Sequence, residues 1–226
     1  MKKHLLSLLL ILSLGSISVN AQIKIGVKEG LNIASFDANF STPDTFVSVE
    51  EKSIVSFHLG GFLRYTIAEN ISFQGELLYS GQGARFEIVE RVNLGFDGSI
   101  DIPYTTKRRL NYLSIPLMAQ YQFNTGFYLE SGLAFDFLIS GKETYEFEGD
   151  TGLALQPSDP QDIHVGADVK FALGAGYELA SGLGLSARYS IGLGNNLDES
   201  NELVTEGDES TNNLFQLSVT FPLYGN

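Results

Sequence analysis

Residues 127–139 read FYLESGLAFDFLI. Nine of these thirteen residues are hydrophobic, yet Glu130 and Asp136 stand among them. Acids inside an apolar run are costly unless something answers them. They mark either a catalytic carboxylate pair or a segment with two unlike faces. Parity decides between these. Phe127, Leu129, Leu133, Phe135, Phe137 and Ile139 are odd-numbered, and both acids are even. Period-two alternation is the signature of a strand with one apolar face. On such a strand the two acids lie about 20 Å apart, at roughly 3.3 Å per residue. Even inverting glycosidases hold their carboxyls within about 10 Å, so this pair cannot work on one bond.

The same alternation runs through residues 23–33, 54–68, 71–82, 109–123, 163–179, 183–194 and 214–223. With 127–140 that makes eight predicted strands. No segment after the N-terminus offers around 20 consecutive apolar residues, so a membrane crossing must take the form of a closed β-barrel. Strands of about 9–11 tilted residues suffice for that, and single-chain bacterial barrels have an even count. The connections alternate in length. Those near 69–70, 124–126 and 181–182 are short; those at 34–53, 83–108, 141–162 and 195–213 are long. Outer-membrane barrels place short turns in the periplasm and long loops outside the cell. The expected fold is therefore all-β: an eight-stranded antiparallel up-and-down transmembrane β-barrel with both termini periplasmic.

Charges test the two faces. Lys24, Lys28, Arg64, Glu76, Glu130, Asp136, Asp168, Lys170, Glu178 and Arg188 lie well inside the strands, and all are even. Glu29 is an odd exception on the first strand, and Arg109 another at the rim of the fourth. Odd positions are thus read as lipid-facing and even ones as lumen-facing. The predicted lipid belt includes Phe57, Tyr65, Phe73, Ile115, Tyr121, Phe123, Phe127, Leu133, Phe135, Phe171, Tyr189 and Phe215. The ten interior charges comprise as many bases as acids, and His58 joins them by parity. An eight-stranded barrel is barely wide enough for its own side chains. Balanced charges in so narrow a space are expected to pair and to leave no channel for solutes.

The chain has 226 residues, 24 Gly, 16 Phe, 10 Tyr and no Cys. Glycine with aromatics favours strands joined by tight turns. Without Cys there is no disulfide, no thiolate metal site and no lipidated N-terminal Cys. The net charge of −13 argues against nucleic acid, whose phosphates need a basic surface. Most of that charge falls in the long connections. Residues 141–162 and 195–213 carry six acids each, against one base and none, and 34–53 carries four against one. The N-terminal MKKHLLSLLLILSLGSISVNAQ has a basic start, a short apolar core and a small residue, Ala21, before Gln22. This predicts a signal peptide at 1–21, cleaved to release a barrel domain at 22–226.

Other chemistries find little footing. DESNELVTEGDES at 198–210 is rich in oxygen ligands but lacks the D-x-[DN]-x-[DN]-G spacing of a calcium loop. There is no G-x-S-x-G elbow, and the mature chain has only His58 and His164 to serve as a base. LGAGYELASGLGLS at 173–186 lacks the G-K-[ST] end of a phosphate loop. No enzymatic activity, cofactor or metal site is expected.

Several pieces together resemble a known family. NYLSIPLMAQYQF (111–123), FYLESGLAFDFLIS (127–140), DVKFALGAGYEL (168–179) and ARYSIGL (187–193) look, in order, like strands of the porin-like outer-membrane β-barrel family that includes PorT. The resemblance covers the mature chain and implies an integral outer-membrane protein. PorT's link to type IX protein secretion is implied only as an alternative. The function expected is structural or interaction-based, with outer-membrane lipid and lipopolysaccharide as surroundings and an extracellular or secretion-machinery protein as a further partner. A small passive porin is the other alternative.

Overall fold

The computed structural model describes residues 22–39, 47–93, 98–147, 161–162, 167–194 and 209–225. The predicted signal peptide, most of the two most acidic connections, and residues 163–166 of the predicted sixth strand lie outside them. Eight long strands run antiparallel: β1 (Gln22–Asn39), β2 (Val47–Ala68), β3 (Ile71–Asn93), β4 (Ser99–Gln122), β5 (Phe127–Phe147), β7 (Ala167–Glu178), β8 (Gly184–Gly192) and β9 (Glu209–Tyr224). The two-residue β6 (Gln161–Asp162) only adds to β5, at Lys142 and Glu143. Each long strand pairs with its neighbours in sequence, and β1 pairs with β9 to close the ring.

The register fixes the barrel's dimensions. Stepping from Lys24 through Arg64, Gln74, Met118, Gly132, Ala172, Ser190 and Leu214 leads back to β1 at Ala34, ten residues along. That stagger over eight strands corresponds to a tilt of about 40° and a backbone radius of about 8 Å. From Ile23 to Ile33 the wall rises about 25 Å, the height of an apolar band in such barrels. At one end the chain turns tightly at 69–70, 124–126 and 180–183. Gly126 (φ 89°) and Gly182 (φ 82°) adopt the left-handed backbone these turns need.

Six of the eight long strands run beyond what alternation predicts. Residues 34–39, 47–53, 83–93, 99–108, 141–147 and 209–213, all expected in long connections, continue as strand. Two irregularities hide this. The β2–β3 register shifts between Ser53 and His58, and the β4–β5 register shifts between Asn111 and Tyr112. A one-residue slip turns every later side chain to the opposite face. Beyond these bulges β2–β5 form an extension with charges on both faces. One face carries Lys52 with Glu87 (2.5 Å) and Lys107 with Glu146 (2.7 Å); the other carries Arg108 with Glu143 (3.1 Å). Charges on both faces place this part outside the hydrocarbon.

Candidate functional site

Among the described residues, titratable side chains converge in the interior, and parity puts them there. Even positions of the barrel strands turn inward and odd positions outward. All ten charges assigned to the lumen by parity point inward, and each takes part in an ion pair. They separate into three tiers.

At the short-turn end Glu178 holds two bases, Lys24 and Arg64, each at 2.6 Å. The Arg64 guanidinium also lies over the rings of Phe62 and Tyr128, at 5.8 and 5.6 Å. A hollow of about 490 Å³ opens at this mouth, and Lys24 and Glu178 form part of its lining. Gln74 joins this tier to the next, accepting from Arg64 at 2.9 Å and donating to Glu76 at 2.6 Å.

The middle tier is centred on Arg188 from β8. Its two terminal nitrogens grip Glu76 at 2.7 and 2.9 Å, while Nε donates to Glu130 at 2.7 Å. Lys28 reaches both Glu76 oxygens at 3.1 Å, and Gln120 donates to the second Glu130 oxygen at 3.0 Å. Pro116 lies opposite in β4, where pairing with β3 lapses between Leu78–Ser114 and Gly75–Leu117 because proline has no N–H. Glu76, Glu130, Lys28 and Arg188 are all buried, the most accessible of them at 4 % exposure, so every one of these bonds is made away from water. Fork geometry with satisfied oxygens is what lets a buried ion pair offset its desolvation.

Near the long-loop end Lys170 sits between Asp136 (3.0 Å) and Asp168 (3.7 Å), which face each other across β5 and β7. Lys170 also donates to Gln82, whose amide nitrogen donates to Asp136 at 3.0 Å. Glu130 and Asp136 thus belong to different tiers and answer to different bases. Above Lys170 the interior turns apolar. Phe36, Ala84, Leu110 and Tyr112 form a buried cluster with Phe86 and Leu138 packed against it. The interior is therefore not polar throughout. Even positions also carry Phe62, Leu78, Met118 and Tyr128.

His58 belongs to the interior, but as a hydrogen-bonded connector and not as a member of the ion pairs. Its Nδ1 meets Asn32 Oδ1 at 2.8 Å and its Nε2 meets Ser218 Oγ at 3.0 Å. These are the distances of a nucleophile, base and orienter. Parity alone would have found Asn32 and Ser218, which are even and polar. Asn32 is fully engaged, donating to Ser80 at 3.0 Å and to the Gly81 carbonyl at 2.7 Å while accepting from Gln216 at 3.1 Å.

On the outer wall Phe57, Tyr65, Phe73, Tyr121, Phe123, Phe127, Leu133, Phe171 and Tyr189 are exposed, and Ile115, Phe135 and Phe215 are half-buried among outward neighbours. Aromatic groups stand near both ends. Tyr121, Phe123 and Phe127 pack in sequence near the short turns (5.0 and 5.6 Å), and Phe57 packs on Tyr79 higher up (5.5 Å). Glu29 points outward, as its parity predicts.

Residues 18–198 match the family model described as outer membrane protein beta-barrel domain. The chain belongs to that family. It is an outer-membrane β-barrel protein of eight long antiparallel strands. Three solved structures are similar in fold. Ail, the attachment invasion locus protein of Yersinia pestis, is 14% identical, with a TM-score of 0.46 and coverage of 88% of this chain and 98% of that one. Neisserial surface protein A is 11% identical, with a TM-score of 0.44 and coverage of 87% and 95%. Outer membrane protein W of E. coli is 12% identical, with a TM-score of 0.35 and coverage of 88% and 97%. No curated protein matches the sequence.

Proposed function

We propose that the protein is a closed membrane anchor that presents its charged β2–β5 extension and acidic connections at the cell surface, where they meet an envelope component or a protein partner. The observation that carries this reading is the filled interior. Three ion-paired tiers and an apolar cluster follow one another along the lumen. A passive porin needs an open path, and these side chains occupy it from Glu178 to Phe36. The reading is also non-enzymatic. His58 is only 1 % exposed, and both its ring nitrogens are held by Asn32 and Ser218 inside the wall.

In this reading the short turns are periplasmic, together with both termini, and the extension is extracellular. Outer-membrane lipid surrounds the belt, and lipopolysaccharide meets the extension. A PorT-like role in protein secretion would act through the same exposed parts. Orientation is the first thing to test. The chain has no Cys, so single substitutions report cleanly. Arg91→Cys, in the extension, should react with a membrane-impermeant maleimide on intact cells. Ala180→Cys, in a short turn, should react only after the outer membrane is permeabilised. The reverse pattern would overturn the orientation and the surface role with it.

A further inference from the structure

One residue of the outer wall breaks the rule that all its neighbours follow. Among the odd-numbered residues at 23–35, 55–67, 71–79, 111–123, 127–139, 167–179, 183–193 and 215–223, Glu29 is the sole charged one. It is exposed, and its carboxylate has no hydrogen bond or ion pair with any described residue. Its strand neighbours are Val27 and Leu31, and its cross-strand partners are Leu59 and Val219. Along the outward run from Ile23 to Ile33, three apolar positions lie below it and two above, so it stands near the centre of the apolar band.

An ionisable group at that depth is expensive, and such residues face a partner that can answer them. Acyl chains have no hydrogen-bonding group to offer. A second copy does. In a two-fold contact about the membrane normal, each residue on the axis meets its own image at the same depth. Two carboxyl groups brought together this way can hydrogen-bond acid to acid, which no lipid can replace. The surface around Glu29 permits the approach. Val27 and Val219 are short, and outward Gly61, opposite Val27, leaves the wall flat there: a Cβ at Gly61 would have only the Gly26 carbonyl within 4 Å, at 3.5 Å. The rest of these outward positions carry no base that could serve Glu29 in a different pairing of two copies.

We propose that the β1 wall is a self-association surface, in which Glu29 of two copies pair across a two-fold axis at mid-membrane depth. The test uses the mature full-length barrel in phospholipid nanodiscs or vesicles. Val27→Cys places a single thiol beside Glu29, and Leu117→Cys places one on the far wall at similar height. A short bis-maleimide should join Val27→Cys copies into dimers at least tenfold more than Leu117→Cys copies. Adding Glu29→Leu should reduce that cross-linking about tenfold, while Glu29→Gln, which can still hydrogen-bond to its image, should retain most of it. Heat-modifiable gel mobility verifies that every variant is a folded barrel. Equal cross-linking at the two walls would overturn the proposal. So would a dimer indifferent to Glu29→Leu, or a Gln variant as monomeric as the Leu variant.

Discussion

Glu130 and Leu133 lie three residues apart on β5 and answer to opposite solvents. Glu130 is inward and bonded to Arg188 and Gln120; Leu133 is outward, at the level of Phe171 and Leu117. Glu130→Leu leaves part of the Arg188 guanidinium without its counter-charge in a dry interior. Breaking one side of a buried pair typically costs roughly 3–5 kcal/mol. Leu133→Arg puts a charge against acyl chains, for roughly 2–4 kcal/mol near the bilayer midplane. Both variants should therefore lower the urea midpoint of the barrel in vesicles. The conservative controls, Glu130→Gln and Leu133→Ile, should cost much less. If Glu130→Arg were tolerated and Leu133→Arg were neutral, the assignment of faces would be wrong. Below the bulges, the inward charges among the described residues follow parity, because a strand alternates strictly and hydrocarbon tolerates few charges. The partners were not. Which base meets which acid depends on the stagger between strands, and Asp136 and Glu130 end in separate tiers for that reason.

At the scale of the strands, the barrel segments were legible and the extension was not. Within the belt the lipid imposes apolar residues at every second position, so the sequence alternates. Above it, water lies on both sides and that demand disappears. The bulges at Ser53–His58 and Asn111–Tyr112 then reverse the parity of β2 and β5 against their neighbours. A charged stretch with broken alternation looks like a loop, although its backbone ladder continues. Ion pairs take over part of the work there. A hydrogen bond from Lys52 holds the Glu87 carboxyl below its ordinary value of 4.5, and one from Arg91 holds Asp101 below 3.8. A hydrogen bond from Lys107 does the same for Glu146. Each group is depressed in the folded state, so its contribution is complete above the unfolded value and fades as pH falls through the folded one. Hydrogen exchange at β3 and β4 residues 85–105 should therefore speed up relative to the barrel amides when the pH drops below about 4, in the ordinary carboxylate range. These pairs are exposed and each is weak, so the barrel itself should stay closed in the same experiment. Unchanged protection ratios down to about pH 3, below the ordinary carboxylate values, would show that the extension does not depend on them.

For the whole molecule, the even-numbered apolar residues change the picture most. Reading even as polar makes the lumen a column of charges. Phe62, Leu78, Met118 and Tyr128 are instead buried among them, the first and last against Arg64, and Phe36, Leu110 and Tyr112 form an apolar cluster beyond Lys170. A radius of about 8 Å leaves room for side chains and little else. The packing could not be read from the sequence, since an apolar residue at an even position looks like noise until the barrel closes around it. The uncharged amides Gln74, Gln82, Gln120 and Asn32 carried the right parity and could have been found. Gln74 and Gln120 bond within the two tiers nearer the short turns, while Gln82, joined to Asn32 through Ser80, extends the Lys170 tier, so the amides tie the interior into two connected groups.

The proposed closed interior has one direct electrical consequence. Planar-bilayer recording of the purified barrel should show no steady open level for the wild type. Glu76→Ala combined with Arg188→Ala removes the fork at the centre of the middle tier and should leave conductance low as long as the Phe36–Tyr112 cluster and the Glu178 tier remain. A steady ohmic conductance from the unaltered protein would contradict the account.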